Sequence, residues 1–247
     1  MNAFDLSGKT CLVTGASSGI GRACAVMMSQ LGAAVVLTGR RSDELEQTRA
    51  RLAPGPAHRI VAGDLADADF VPQLVRAAGP LDGLVHAAGV CAAQPIASAD
   101  VAAVESALRV NYVAFMQLMR CCAKPAYARA GFSAVAVASV SAAAGWAGGS
   151  LYAGSKGALC AAVRALAVEL APRARVNAVC PGNVRTPLYD ELAALAGADA
   201  RARLAGRQLL GLGEPEQVAG PVCFLLSAAA SFITGVCLPV DGGYLAH

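Results

Sequence analysis

The chain has 247 residues, enough for a single α/β domain with a sizeable buried core. Hydrophobic residues make up 56% and charged residues 15%, with a mean hydropathy of +0.51, which excludes a disordered chain. Twenty Lys and Arg against seventeen Asp and Glu leave a net charge of +3, scattered along the chain without forming a basic face, and this argues against a nucleic-acid partner.

Residues 9–14 read as a short strand ending in Thr-Gly, followed by a turn of small residues and a helical pattern over 20–31 that Gly32 stops. Residues 33–38 form the next apolar strand. A polar helix over 42–52 has Ser42 placed as its N-cap, and a strand over 59–62 ends at Gly63-Asp64. The alternation continues with a helix over 70–78, a strand over 83–86, a helix pair or one broken helix over 99–130, and a strand over 134–138. A helix over 152–170, a strand over 175–179, a helix over 216–226 and a strand over 236–240 complete the chain. Seven strands separated by helices require right-handed crossovers, so the expected fold is α/β, a Rossmann-type doubly wound parallel sheet flanked by helices, in a single domain over 1–247.

Two uncharged stretches, 132–155 and 219–240, are long enough to cross a membrane. The first is rich in Ala, Gly and Ser, and the second is broken by Pro221 and Pro239, so buried strands and a core helix suit both better. The nine cysteines are odd in number, lie mostly in apolar runs and have no metal-ligand spacing. They read as reduced core residues of a cytoplasmic protein with no metal. The start of the chain lacks the basic and apolar regions of a secretory signal.

The first turn reads Thr14-Gly15-Ala16-Ser17-Ser18-Gly19-Ile20-Gly21, a Gly-x-x-x-Gly-x-Gly between a strand and a helix. Glycines there allow a tight turn and a close backbone approach to a pyrophosphate, whose charge the helix N-terminus favours. A Gly-rich turn without a ligand is the alternative, and the flanking strand and helix favour the dinucleotide. The end of the second strand reads Thr38-Gly39-Arg40-Arg41, without the acid that would hold the ribose 2′-hydroxyl of NAD. Two guanidiniums there suit the 2′-phosphate of NADP(H), unless they only flank a helix start in solvent. Asp64-Leu65 closes the third strand, where the carboxylate can meet the adenine amino group or cap a helix. Tyr152 and Lys156 share a helical face, so the ammonium is expected to draw the phenol toward neutrality for proton exchange with a carbonyl or alcohol. A Tyr/Lys pair is commonly a solvated surface. Ser139, after an uncharged strand, lifts this one by offering a hydroxyl to the same oxygen.

Together with the Gly-rich turn, the residues Asn111, Ser139, Tyr152-Ala153-Gly154-Ser155-Lys156, the run 177–186 and the ending with Ser231-Phe232-Ile233-Thr234-Gly235 and Asp241-Gly242-Gly243 resemble the classical short-chain dehydrogenases/reductases. The resemblance covers essentially the whole chain and is nearest in pattern to the β-ketoacyl-(acyl carrier protein) reductase branch. It implies a catalytic tetrad of Asn111, Ser139, Tyr152 and Lys156. Tyr152 would be the general acid or base, Lys156 would lower its pKa and hold the nicotinamide ribose, and Ser139 would polarise the substrate oxygen. Asn111 would interrupt its helix and hold a water of the proton relay, where an isolated Asn otherwise reads as a helix irregularity. The implied cofactor contacts are Gly15, Ser17, Ser18, Ile20, Gly21, Arg40, Arg41, Asp64, Leu65, Ala87, Ala88, Gly89, Tyr152, Lys156, Pro181, Gly182, Val184 and Thr186. Thr186 can equally be a helix N-cap. The family also implies a homotetramer and a mobile lid, here over about 187–213.

Two departures matter. The family's Asn-Asn-Ala-Gly is His86-Ala87-Ala88-Gly89 here, so weaker rigidity is expected, with His86 a packed structural histidine. Gly154 replaces the usual Ala at a helix-propensity cost of up to about 1 kcal/mol. Leu188, Tyr189, Leu192, Leu195 and Leu204 of the lid, with Cys91, Gln94, Trp146 and Leu151, are expected to line an apolar pocket for a hydrophobic ketone or acyl group. Arg185, Arg201, Arg203 and Arg207 can meet an anionic substrate or carrier protein, and solvation is the favoured reading. The expected activity is interconversion of a ketone and a secondary alcohol with NADP(H), the substrate being free or carrier-linked. The alternatives are an NAD-dependent alcohol dehydrogenase and a non-catalytic, cofactor-binding regulator.

Overall fold

Strands enclosed by helices on both faces need apolar residues at every position, not at alternate ones, and the first two strands have that composition. In the computed structural model, which describes residues 3–91, 93–196 and 206–247, β1 (Thr10–Thr14) and β2 (Ala34–Thr38) are buried at four positions of five. Around them the chain winds as α1 (Gly19–Gln30), α2 (Ser42–Arg49), β3 (Arg59–Ile60), α3 (Phe70–Ala78) and β4 (Leu81–His86). The second half adds α4 (Val101–Leu108), α5 (Ala114–Cys122), β5 (Ala128–Val137) and α6 (Ser150–Leu170). It ends with β6 (Ala174–Pro181), α7 (Pro187–Ala196), α8 (Pro215–Leu226) and β7 (Cys237–Val240).

The seven strands pair in the order β3-β2-β1-β4-β5-β6-β7, all parallel, which gives the expected doubly wound sheet. The chain runs outward from β1 to β3 and then returns across the sheet to β4. The crossovers on either side of β1 therefore diverge, and a crevice opens at the carboxyl ends of β1 and β4. Successive residues of each strand feed opposite faces. Leu12, Leu84, Ala134 and Val176 pack under α3, α5 and α6, whereas Cys11, Val13, Val85 and Val135 pack under α1 and α8.

Most boundaries agree with the sequence reading, and the exceptions have tertiary causes. Ser42 is the first helical residue of α2. Arg41 takes the N-cap position in extended conformation and makes no side-chain cap. The 99–130 segment is the broken helix, but it ends at Cys122, because pairing of Ala128 with Leu81 draws 128–130 into β5. Its break is one π-helical turn over Arg109–Val113. β3 is only two residues long, although Val61 and Gly63 still donate to the backbone of Leu37 and Gly39. α7 falls inside the segment read as a lid. Of that segment, residues 197–205, with Arg201, Arg203 and Leu204, lie outside the described residues, as does the Leu195 side chain.

α6 is the one described helix long and apolar enough to cross a membrane, and it buries Leu159, Val163 and Leu166 against the sheet. All nine cysteines are free thiols, buried except for the half-buried Cys91 and Cys237.

The edge strand β7 depends on a buried amide. Asn177 Nδ2 donates to the Ile233 carbonyl at 3.0 Å, and its Oδ1 accepts from the Val236 amide at 3.1 Å. Asn177→Ala is expected to lower stability by about 1–3 kcal/mol, because the Val236 amide loses its acceptor and the Ile233 carbonyl keeps only the longer 3.3 Å bond from Arg175 Nη1. A denaturant midpoint equal to wild type would contradict this.

Candidate active site

The crevice at the switch point is a cleft of about 640 Å³. Its floor is the turn between β1 and α1. Gly15 takes φ +64° there, and a Cβ on it would stand 2.8 Å from the Ala88 backbone. A Cβ on Gly21 would stand 2.3 Å from the Gly15 carbonyl oxygen, so the turn closes only with glycine at both places. α1 presents its N-terminus at this turn with no acidic residue in its first turn, and Arg40 and Arg41 line the far end of the cleft. A glycine floor, an acid-free helix N-terminus and two guanidiniums fit a phosphorylated dinucleotide in shape and in charge.

Every cofactor residue inferred from the sequence lines this one cleft, from Gly15 and Arg40 through Asp64, Leu65 and Gly89 to Pro181, Gly182, Val184 and Thr186. Ser139, Tyr152 and Lys156 line it too. Asn111 does not. It is fully buried on the π-helical turn, accepting from the Val90 amide at 2.9 Å and donating to the Val90 carbonyl at 3.0 Å and to Ser155 Oγ at 2.9 Å. It still adjoins the cleft, because a Cβ on Gly89 would come within 3.2 Å of Asn111 Oδ1 and 3.3 Å of Lys156 Nζ.

Tyr152 and Lys156 occupy one face at the start of α6, with Nζ 5.7 Å from the centre of the phenol ring. Lys156 Nζ donates to the Val137 carbonyl at 2.8 Å, which fixes it at the end of β5. Ser139 follows in extended backbone. Its hydroxyl accepts from the Ser141 amide at 3.0 Å and lines the cleft with the Tyr152 phenol. Thr186 caps α7 by accepting from the Tyr189 amide at 3.2 Å, so its two readings coexist. Asp64 likewise lines the cleft while accepting from the Ala66 amide at 2.9 Å.

A family model described as enoyl-(acyl carrier protein) reductase matches residues 15–245. The chain is 36% identical to an L-rhamnose 1-dehydrogenase (NAD(P)(+)) of Sphingomonas sp. (strain SKA58), over 96% of both chains. It is 38% identical to a cis-4-hydroxycyclohexanecarboxylate dehydrogenase of Sinomonas cyclohexanicum, over 96% of this chain and 97% of the other. A crystal structure from Beutenbergia cavernae, described as an NAD(P)-dependent gluconate 5-dehydrogenase with bound NADP at low occupancy, superimposes with a TM-score of 0.89 at 36% identity and full coverage of both chains. The chain belongs to the classical short-chain dehydrogenases/reductases. It is an NAD(P)-dependent oxidoreductase acting on CH–OH groups.

In this short-chain dehydrogenase/reductase the electrostatics differ from the sequence expectation at one point. Burial pushes the Tyr152 phenol above its ordinary value, and the hydrogen bond with Ser139 only partly offsets this. Burial prevails at Lys156 as well, lowering its pKa to about 8, while its ammonium donates one of its three hydrogens to the Val137 carbonyl. His86 is the packed histidine expected. Burial, with the Lys156 charge, lowers its pKa to about 3, so its ring is neutral against Phe115. Its Nδ1 lies 3.1 Å from Thr14 Oγ1, which also accepts from the Ala88 amide at 3.1 Å. The loss of the family's asparagines is thus met by a His86–Thr14 link between β4 and β1.

Pocket walls follow the expectation in part. Cys91, Trp146, Leu188, Tyr189 and Leu192 line the cleft, whereas Leu151 and Gln94 do not; Gln94 instead donates its backbone amide to Gly148 at 3.0 Å. Arg185 pairs with Glu214 at 2.9 Å on the surface, and Arg207 stacks on Tyr244 at 4.7 Å.

Sequence reasoning missed Arg22, Ser155, Ser141 and Glu191. Arg22 donates to the Ser17 carbonyl and, at 2.9 Å, to Thr48 Oγ1, tying the turn to α2. The signal was present, since Arg22 is the only charged residue of α1. Ser155 holds Asn111, and Ser141, which accepts from Trp146 Nε1 at 3.1 Å, lines the cleft with Glu191.

The lowered pKa of Lys156 has a stability consequence. Its folded value of about 8 lies below its unfolded value, so the cost of burying the ammonium is full below pH 8, shrinks as pH rises and vanishes near 10.5. Lys156→Met is therefore expected to be more stable than wild type at pH 7, by up to about 3 kcal/mol, with the advantage fading by pH 10.5. Denaturant midpoints at both pH values measure it, and an advantage unchanged by pH would contradict it.

Proposed function

We propose that the protein is an NADP(H)-dependent reductase or dehydrogenase that interconverts a ketone, β-ketoacyl or another hydrophobic carbonyl, and a secondary alcohol. The observation that carries this reading is the convergence of Ser139, Tyr152 and Lys156 in the cleft whose other end is formed by Arg40 and Arg41. Pro181, Gly182, Val184 and Thr186 would hold the nicotinamide, which would supply or accept the hydride. Tyr152 gives a proton to the substrate oxygen in reduction and takes it in oxidation. Ser139 donates to that same oxygen, and Lys156 holds the nicotinamide ribose. Asn111 acts by holding Val90 and Ser155 beside Lys156. The glycine turn with Ser17, Ser18, Ile20 and Gly21 takes the pyrophosphate, Asp64 and Leu65 flank the adenine, and Ala87, Ala88 and Gly89 give room to its ribose.

Val140, Trp146, Leu188 and Leu192 make the substrate end largely apolar, which supports a hydrophobic carbonyl. A second reading, a cyclic or polyhydroxylated alcohol oxidised by NAD(P), has its own support in the sugar named for the Sphingomonas relative and in Ser141 and Glu191 of the wall. We further propose a cytoplasmic homotetramer in which α7 is part of the substrate lid, with neither nucleic acid nor membrane as partner. The exposed Val101 and Val104 of α4 and Val168 of α6 support an assembly through these helices, and a light-scattering mass equal to one chain would refute it.

The deciding experiment follows NADPH and NADH consumption in parallel over β-ketoacyl thioesters, 1,2-diketones, aliphatic ketones and keto-sugars. Turnover with NADPH on the acyl or ketone classes is expected. Tyr152→Phe is expected to lower kcat by about 10²–10⁴-fold with nucleotide affinity retained. Tight NADPH binding without turnover on any substrate would instead favour a cofactor-binding regulator.

A further inference from the structure

At the far end of the cleft one guanidinium nitrogen serves three acceptors. Nη2 of Arg41 lies 3.0 Å from Oε2 of Glu44 and 3.2 Å from the hydroxyl oxygens of both Ser17 and Ser18. The same Glu44 oxygen stands 3.9 Å from Nη2 of Arg22, the group that also holds the Ser17 carbonyl. The Glu44 side chain is only 32% exposed, so its charge faces these arginines more than it faces water. Arg40 makes no ion pair among the described residues. Glu44 therefore sits among the groups assigned above to a ribose 2′-phosphate.

Two anions then compete for one donor. A 2′-phosphate reaches Arg41 only if Glu44 yields it or shares it against like-charge repulsion. A 2′-hydroxyl is neutral and leaves the Arg41–Glu44 pair intact. We propose that Glu44 is a specificity-determining residue that offsets part of the attraction of Arg40 and Arg41 for the 2′-phosphate and keeps the unphosphorylated dinucleotide usable. The proposal rests on the assignment of Arg40 and Arg41 to that phosphate.

Isothermal titration of wild type, Glu44→Gln and Arg41→Ala with adenosine 2′,5′-bisphosphate and with 5′-AMP tests it. Glu44→Gln preserves size and can still hydrogen-bond, and it removes only the charge. It is expected to bind the bisphosphate about three- to tenfold more tightly while its 5′-AMP affinity changes by less than about twofold. The ratio of kcat/KM for NADPH over NADH rises by the same factor. If Arg41→Ala weakens the bisphosphate and Glu44→Gln leaves it unchanged or weakens it as well, the role of Glu44 is overturned and the assignment of the arginines stands. If Arg41→Ala binds the bisphosphate as wild type does, the assignment and the proposal fall together.

Discussion

The turn after β1 and the turn after β4 pass so close that no side chain fits between them, since a Cβ on Gly15 would stand 2.8 Å from Ala88. That contact exists because β1 and β4 are neighbours at the point where the sheet reverses its winding. Much of the site is arranged around it. The Thr14 hydroxyl bridges the Ala88 amide and His86, so the two strand ends hold one geometry. Three residues on, Gly89 leaves the space into which Asn111 and Lys156 reach. A methyl group at either glycine would push apart the nucleotide floor or the lysine behind it.

Around that contact the protein spends stability on charge. Lys156 is buried with a backbone carbonyl as its acceptor, and desolvation prevails over that single hydrogen bond in setting its pKa. The Tyr152 phenol is held above its ordinary value by the same dry surroundings, and Ser139 only partly offsets them. A site whose phenol and ammonium are both shifted by burial responds strongly to any charge that enters it. At the other end, Arg22 of α1 and Arg41 at the start of α2 flank the half-buried Glu44, two cations against one anion.

The relatives named above act, by their names, on a sugar, a hydroxycyclohexane acid and a gluconate, while the walls of this cleft carry Trp146, Leu188 and Leu192 beside Ser141 and Glu191. The fold and the reaction class share one frame across these proteins. These wall residues lie on α7 and on the loop after β5, which can change without disturbing that frame.

The order and type of the elements in the parallel sheet were legible along the chain, because strand runs and helix periods are local properties. Membership of the cleft came mostly from the family resemblance, because the glycine turn, Ser139 and Tyr-x-x-x-Lys lie on different elements and only their order in the chain is legible. The tertiary structure decided what depends on residues distant in the chain. Ala128 joined β5 because Leu81 was there to pair with it. Asn111 was committed to Val90 and Ser155, not to the open cleft. Arg22 proved to be the tie between the first turn and α2. The direction of the Tyr152 and Lys156 shifts, opposite to the expectation for the phenol, was also a tertiary result. Desolvation is set by all the atoms that surround a group, and no spacing along the chain reports how many there are.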